Sequence, residues 1–125
     1  MKGLAINTEN LMRFKDFKEP ALESLQKEVG GCIEVVHPKH LPQGFCMVVN
    51  DEGLLMGLPL NRFCSVLYGT PEHGHPIVGN GVILKEGFVD GERDFVEMTE
   101  KDQLTLVALM VSFGNVVLRP ESEVS

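Results

Sequence analysis

The stretch from Pro20 to Val36 constrains the fold more than any other part of the chain. Pro20 suits a first helical position, where a missing N–H costs nothing. Leu22, Leu25 and Val29 recur at three- and four-residue spacing, which places them on one helical face. Gly30 supplies a left-handed cap and Gly31 releases the chain. Cys32 to Val36 is then apolar and β-branched, and Pro38 ends the strand by removing a ladder donor. A helix that turns on Gly-Gly into an apolar strand belongs to a fold in which helices pack on a sheet.

The remaining pattern is mostly strand-like. Gly3 to Asn7 is a short apolar run that opens the chain. Thr8 to Glu19 is mixed, anchored by Phe14 and Phe17, and stays unassigned. Phe45 to Val49 reads as a strand, Asn50 to Gly53 as a turn, and Leu54 to Met56 as the return, so residues 45–57 are expected to form a hairpin. Phe63 to Leu67 reads as another short strand. Residues 69–76 form a loop rich in Gly, Pro and His. Ile77 to Leu84 is a strand whose internal Gly79-Asn80-Gly81 suggests a bulge or a close approach. Gly87 to Glu97 is expected to be an acidic loop.

Thr99 then caps a helix, with Asp102 three residues on in capping-box position. Leu104, Val107, Ala108 and Val111 are its expected buried stripe. Leu106, Leu109, Met110 and Phe113 widen it, so one face is left over for a partner subunit. Gly114 is expected to end the helix, and Val116 to Leu118 to pair briefly. The fold class is therefore α+β: a mainly antiparallel sheet with one helix before and one helix after the central strands. The expected domain spans 1–118, with a polar tail at 119–125. At 125 residues the chain suffices for one domain with its own core.

Charge and motifs exclude more than they assign. The net charge is −7, with 11 basic and 18 acidic residues, which argues against direct binding of nucleic acid. The acids concentrate at Glu86, Asp90, Glu92, Asp94, Glu97, Glu100 and Asp102. They form either a solvated surface or a face that mimics DNA or meets a basic partner. No leader-like apolar stretch opens the chain, and the longest apolar segment is about half a membrane span. A cytoplasmic protein with reduced thiols is expected, without membrane association. Cys32, Cys46 and Cys64 sit among apolar neighbours and are expected to be buried packing residues.

The histidines pair as His37/His40 and His73/His75, but no third ligand is implied, so neither a metal nor a cofactor is expected. Nucleophile and phosphate-loop motifs are missing, so no catalytic residue is assigned and no enzymatic activity is expected.

Four residues invite a binding role. Arg62 offers a planar fork for carboxylate or phosphate, and Asn61 offers both a donor and an acceptor. Arg62 could equally cap a carbonyl or pair with Asp51 or Glu52. Glu34 sits within an apolar strand, facing solvent or held for a reason. Asn80 lies in the glycine-flanked interruption.

Leu22-Glu-Ser-Leu-Gln-Lys-Glu-Val-Gly-Gly-Cys-Ile-Glu-Val-Val36 resembles the helix–Gly-Gly–strand signature of the family termed domain of unknown function 3846. Asn50 to Gly53 followed by Gly57-Leu-Pro-Leu-Asn-Arg62 resembles its second signature, and Ile77 to Leu84 its third. The resemblance spans roughly residues 20–98. It departs at Cys32, where an aromatic is common, and at the His-rich insertion 69–76. The C-terminal helix is only loosely comparable. The resemblance implies a small protein of phages, prophages or mobile elements, with no enzymatic activity attached.

With size and missing catalytic motifs, the expected function is a non-enzymatic accessory protein. It would bind a small, nucleotide-like anionic ligand, such as an immune signal of the bacterial host, through Asn61, Arg62, Glu34 and Asn80, as a homo-oligomer. The alternative is an acidic protein-interaction inhibitor or DNA mimic acting on a host protein.

Overall fold

A computed structural model describes residues 1–117. The chain is α+β, with a six-stranded antiparallel sheet and, among the described residues, three helices. The elements are β1 (Lys2–Ile6), β2 (Met12–Asp16), α1 (Ala21–Val29), β3 (Ile33–Val36), β4 (Phe45–Asn50), α2 (Arg62–Tyr68), β5 (Gly81–Val89), β6 (Glu92–Val96) and α3 (Glu100–Val117). The strand order is β2-β1-β5-β4-β3, with β6 pairing β5.

β5 is the longest strand. Its first half lies between β1 and β4, through Leu4↔Ile83 and Met47↔Ile83. Its second half pairs with β6, from Lys85↔Val96 to Val89↔Glu92.

The sheet is covered on both faces. Ile6, Met47 and Ile83 point to one side, where Phe63 and Leu67 of α2 and Leu106 of α3 are fully buried against them. Cys46, Val48, Val82 and Leu84 point to the other, against Leu25 and Val29 of α1. β4 is therefore buried along its whole length. Each fully buried leucine contributes about 1.5–3 kcal/mol. α2 comes so close to the sheet that a Cβ at Gly81 would stand 2.8 Å from Cys64 Sγ. Only glycine fits there.

The helix–Gly-Gly–strand unit forms as its sequence dictates. Gly30 takes φ 82 and its N–H reaches the Gln26 carbonyl. Pro20 stands one position earlier than expected, at the N-cap, and Leu22 is exposed while Leu25 and Val29 are buried.

Several expectations need correction. Residues 63–67 are not a strand but the body of α2, because the Asn61 side chain caps Cys64 N and starts a helix. A short apolar run buried on all sides has no periodicity to separate the two states. Residues 45–57 are not a hairpin. β4 ends at Asn50, whose side chain accepts from Glu52 N, and 51–57 stays in turns with Leu54, Leu55 and Met56 exposed.

Residues 87–97 are not a loop. They are the β5–β6 hairpin, turning at Asp90 (φ 52) and Gly91 (φ 81), the Asp-Gly pair that a tight hairpin favours. The unassigned 8–19 segment contains β2. The 77–84 strand begins only at Gly81, preceded by a single Leu60↔Val78 bridge.

In α3, Thr99 and Asp102 form the expected reciprocal cap. The buried face is the other one, however. Leu106 and Met110 are buried, whereas Leu104, Val107 and Val111 are exposed along with Ala108. Both faces are apolar, so spacing could not choose between them. The helix continues through Gly114 to Val117 and takes in Val116. Leu118 and the tail 119–125 lie outside the described residues.

Candidate functional site

The four residues expected to bind ligand fall in different surroundings. Asn61 is fully buried. Its Oδ1 accepts from Cys64 N at 3.0 Å, and its Nδ2 donates to the Ile6 carbonyl (3.0 Å) and the Gly79 carbonyl (2.9 Å). Its side chain is spent on joining β1, the 77–79 segment and α2. Arg62 is the half-buried first residue of α2. Glu34 is exposed on β3 and lines a groove beside that strand. Asn80 lines a different groove, on the α1 side of the sheet. Neither groove includes Asn61 or Arg62.

The α1-side groove has a volume of about 310 Å³. The β1–β2 turn builds one wall. There the Asn7 Oδ1 accepts from both Glu9 N and Leu11 N, and Asn10 takes φ 65. β2 then alternates. Met12 and Phe14 pack against the α2/α3 side, while Arg13 and Lys15 lie opposite Ala5 and Gly3 and project to the α1 side.

Lys15 Nζ pairs with Glu28 of α1. Asn80 Nδ2 donates to the Glu28 carbonyl, and Asn50 Nδ2 to the Val29 carbonyl. These two side chains satisfy carbonyls that the last turn of a helix leaves open. The groove thus brings together Arg13, Lys15, Asn7 and Asn80, with Glu28 on its edge. Sequence reasoning missed Arg13 and Lys15 because β2 was unassigned. The alternation in Met-Arg-Phe-Lys-Asp was the available signal.

The chain matches, over residues 1–110, the family described as domain of unknown function, DUF3846. It belongs to that family. The match is broader than the 20–98 span of the sequence resemblance and takes in β1, β2 and more than half of α3, so the α1-side groove lies wholly inside the DUF3846 match. No curated protein and no solved structure matches the chain.

Two of the three cysteines of this DUF3846 chain are packing residues. Burial pushes the Cys46 thiol up to about 12 and raises Cys64 further still, so both are neutral packing groups. Cys32, expected to be buried, is exposed. His37 lies 2.7 Å from Glu86, His40 packs on Phe113, and His73 meets the edge of Tyr68.

Among the described residues no group of three His, Cys, Asp or Glu is placed to hold a metal. Likewise among these residues, no helix is long and apolar enough to cross a membrane.

Proposed function

We propose that this protein is a non-enzymatic accessory protein of phages or mobile elements that holds a small anionic ligand in the α1-side groove. Its role on this reading is to sequester a nucleotide signal of host immunity. One observation carries the reading: in a chain of net charge −7, this groove gathers two cations and two carboxamides around one carboxylate. Arg13 supplies the fork that matches phosphate oxygens, and Lys15 a second charge. The Asn7 Oδ1 is engaged by its turn, which leaves its amide N–H groups to offer a ligand. Compared with the site expected at Asn61 and Arg62, this groove retains Asn80 and replaces the rest.

The DNA-mimic alternative has less support. Three of the seven clustered acids have internal partners: Glu86 with His37, Glu97 with the N-terminal amine, and Asp102 with Lys85.

Calorimetric titration of cyclic nucleotides and ADP-ribose derivatives tests the proposal. The parent should bind one of them. Arg13→Ala should weaken that binding roughly ten- to a hundredfold, since a charged hydrogen bond contributes about 1.5–3 kcal/mol. Its melting temperature should stay unchanged, because Arg13 is exposed. Arg62→Ala should bind like the parent. The reverse pattern would place the site at α2, and no binding by the parent would overturn the anionic-ligand reading.

A further inference from the structure

A second groove, of about 450 Å³, runs beside β3 on the opposite face of the sheet from Arg13. The register settles the faces. Arg13, Ala5, Val82, Val48 and Val35 form one cross-strand row, and Glu34 lies one position from Val35. Glu34 therefore projects to the α2/α3 side. The groove floor is apolar: Val49 and Ile77 are buried and Val36 is half-buried. Leu54 and Leu55 stand on its rim, 59% and 88% exposed. Glu34, Asp51 and Glu52 also line it, and all three are exposed.

β3 is an edge strand. Among the described residues its neighbour in the sheet is β4 alone. An edge strand offers a row of backbone donors and acceptors to any extended segment laid against it.

We infer that this edge and groove receive an extended segment of a partner protein, added to β3 as a further strand, in which basic side chains alternate with apolar ones. The alternation follows from the site. Every second side chain of an added strand would face the groove, and those at its rim would meet three carboxylates. The alkyl stems of those basic side chains would cover Leu54 and Leu55, and the apolar residues between them would face the other side of the sheet, beside Val35, which is 39% exposed there.

A second copy of this chain fits poorly by the same reasoning. Pairing β3 with its symmetry mate would bring Glu34, Asp51 and Glu52 toward like charges. The segment after Val117 carries Glu121 and Glu123 against the single Arg119, so its balance is again acidic. The anion groove lies on the other face and plays no part in this docking.

The test uses blocked peptides of alternating Lys and Val, with the Glu and Val counterpart as control, titrated into the full chain. The Lys peptide should bind and slow hydrogen exchange at the amides of residues 33–36, and the Glu peptide should not bind. Methylating alternate peptide nitrogens should abolish binding, because the ladder donors are removed. Glu34→Lys or Asp51→Lys should weaken it at least tenfold, and Glu34→Gln gives the smaller effect in the same direction if a Lys variant fails to fold. Four results would each overturn the inference. One is no binding of the Lys peptide at millimolar concentration. Another is binding that survives all the charge changes, and a third is protection confined to β2 or β6. The last is protection of β3 that grows with protein concentration alone, which would make a second copy the occupant.

Discussion

Asn61 shows how a polar residue can look functional and be architectural. Its carboxamide satisfies the buried carbonyls of Ile6 and Gly79 and the Cys64 N–H in the first turn of α2. Asn61→Ala would take this partner from all three. A stranded buried polar group costs about 1–3 kcal/mol, so a loss of roughly 3 kcal/mol or more is expected in denaturant titration. Asn61→Asp separates this network from simple capping. Aspartate is a good N-cap, but here it would turn a carboxylate toward two carbonyl oxygens. The substitution should destabilise at least as much as alanine, and near-parental stability of the Asn61→Asp protein would refute the network.

Asp102 makes a different kind of contribution. The Thr99 backbone N–H, with Lys85 beside it, holds its carboxyl below the ordinary value of 3.8. A carboxylate with a depressed folded pKa stabilises fully above 3.8 and loses that contribution as pH falls through the lower, folded value. Melting temperature should thus drop below pH 3.8, and Asp102→Asn should show a shallower drop.

At the scale of elements, legibility followed periodicity and turn chemistry. α1 and β3 were readable because Gly30-Gly31 separates a helical spacing from a β-branched run. The N-terminus of α3 was readable because Thr99 and Asp102 satisfy each other's backbone groups. α2 was not, since Phe63, Cys64 and Leu67 are all buried and leave no polar face to set a period. β6 has no strand signature along the chain because Glu92, Arg93 and Asp94 are exposed and charged and only Phe95 and Val96 are half-buried, although Asp90-Gly91 marks its turn. The binding residues were less legible than the fold. Arg62 stood out through its apolar neighbours in sequence, whereas Arg13 and Lys15 gain their meaning only when β2 lies alongside α1. A groove assembled from β1, β2, α1 and residue 80 has no signature along the chain.

At the scale of the whole molecule, α3 turns an apolar face to solvent. Leu104, Val107 and Val111 are 69%, 44% and 64% exposed and lie at helical spacing. The oligomer proposed from the sequence has a surface to form on here, although the buried stripe is Leu106 and Met110. Light scattering at micromolar concentration should report a dimer or a multiple of one, and Leu104→Glu with Val111→Glu should give a monomer that still melts cooperatively. A parent protein that is monomeric under these conditions would end the proposal.

The central position of β5 also bears on how the chain acquires its shape. β1 with β2, and β3 with β4, are each local antiparallel pairs that can close within a few dozen residues. They lie on opposite sides of β5, and the strand that joins them begins only at Gly81. Until about two-thirds of the chain has left the ribosome, the two hairpins have no common neighbour. The contacts that join them span long stretches of sequence, and such contacts slow folding because loop closure must come first. Joining of the two hairpins is therefore expected to come late, and a chain interrupted before Gly81 would hold two hairpins without the strand that connects them rather than a smaller version of the domain.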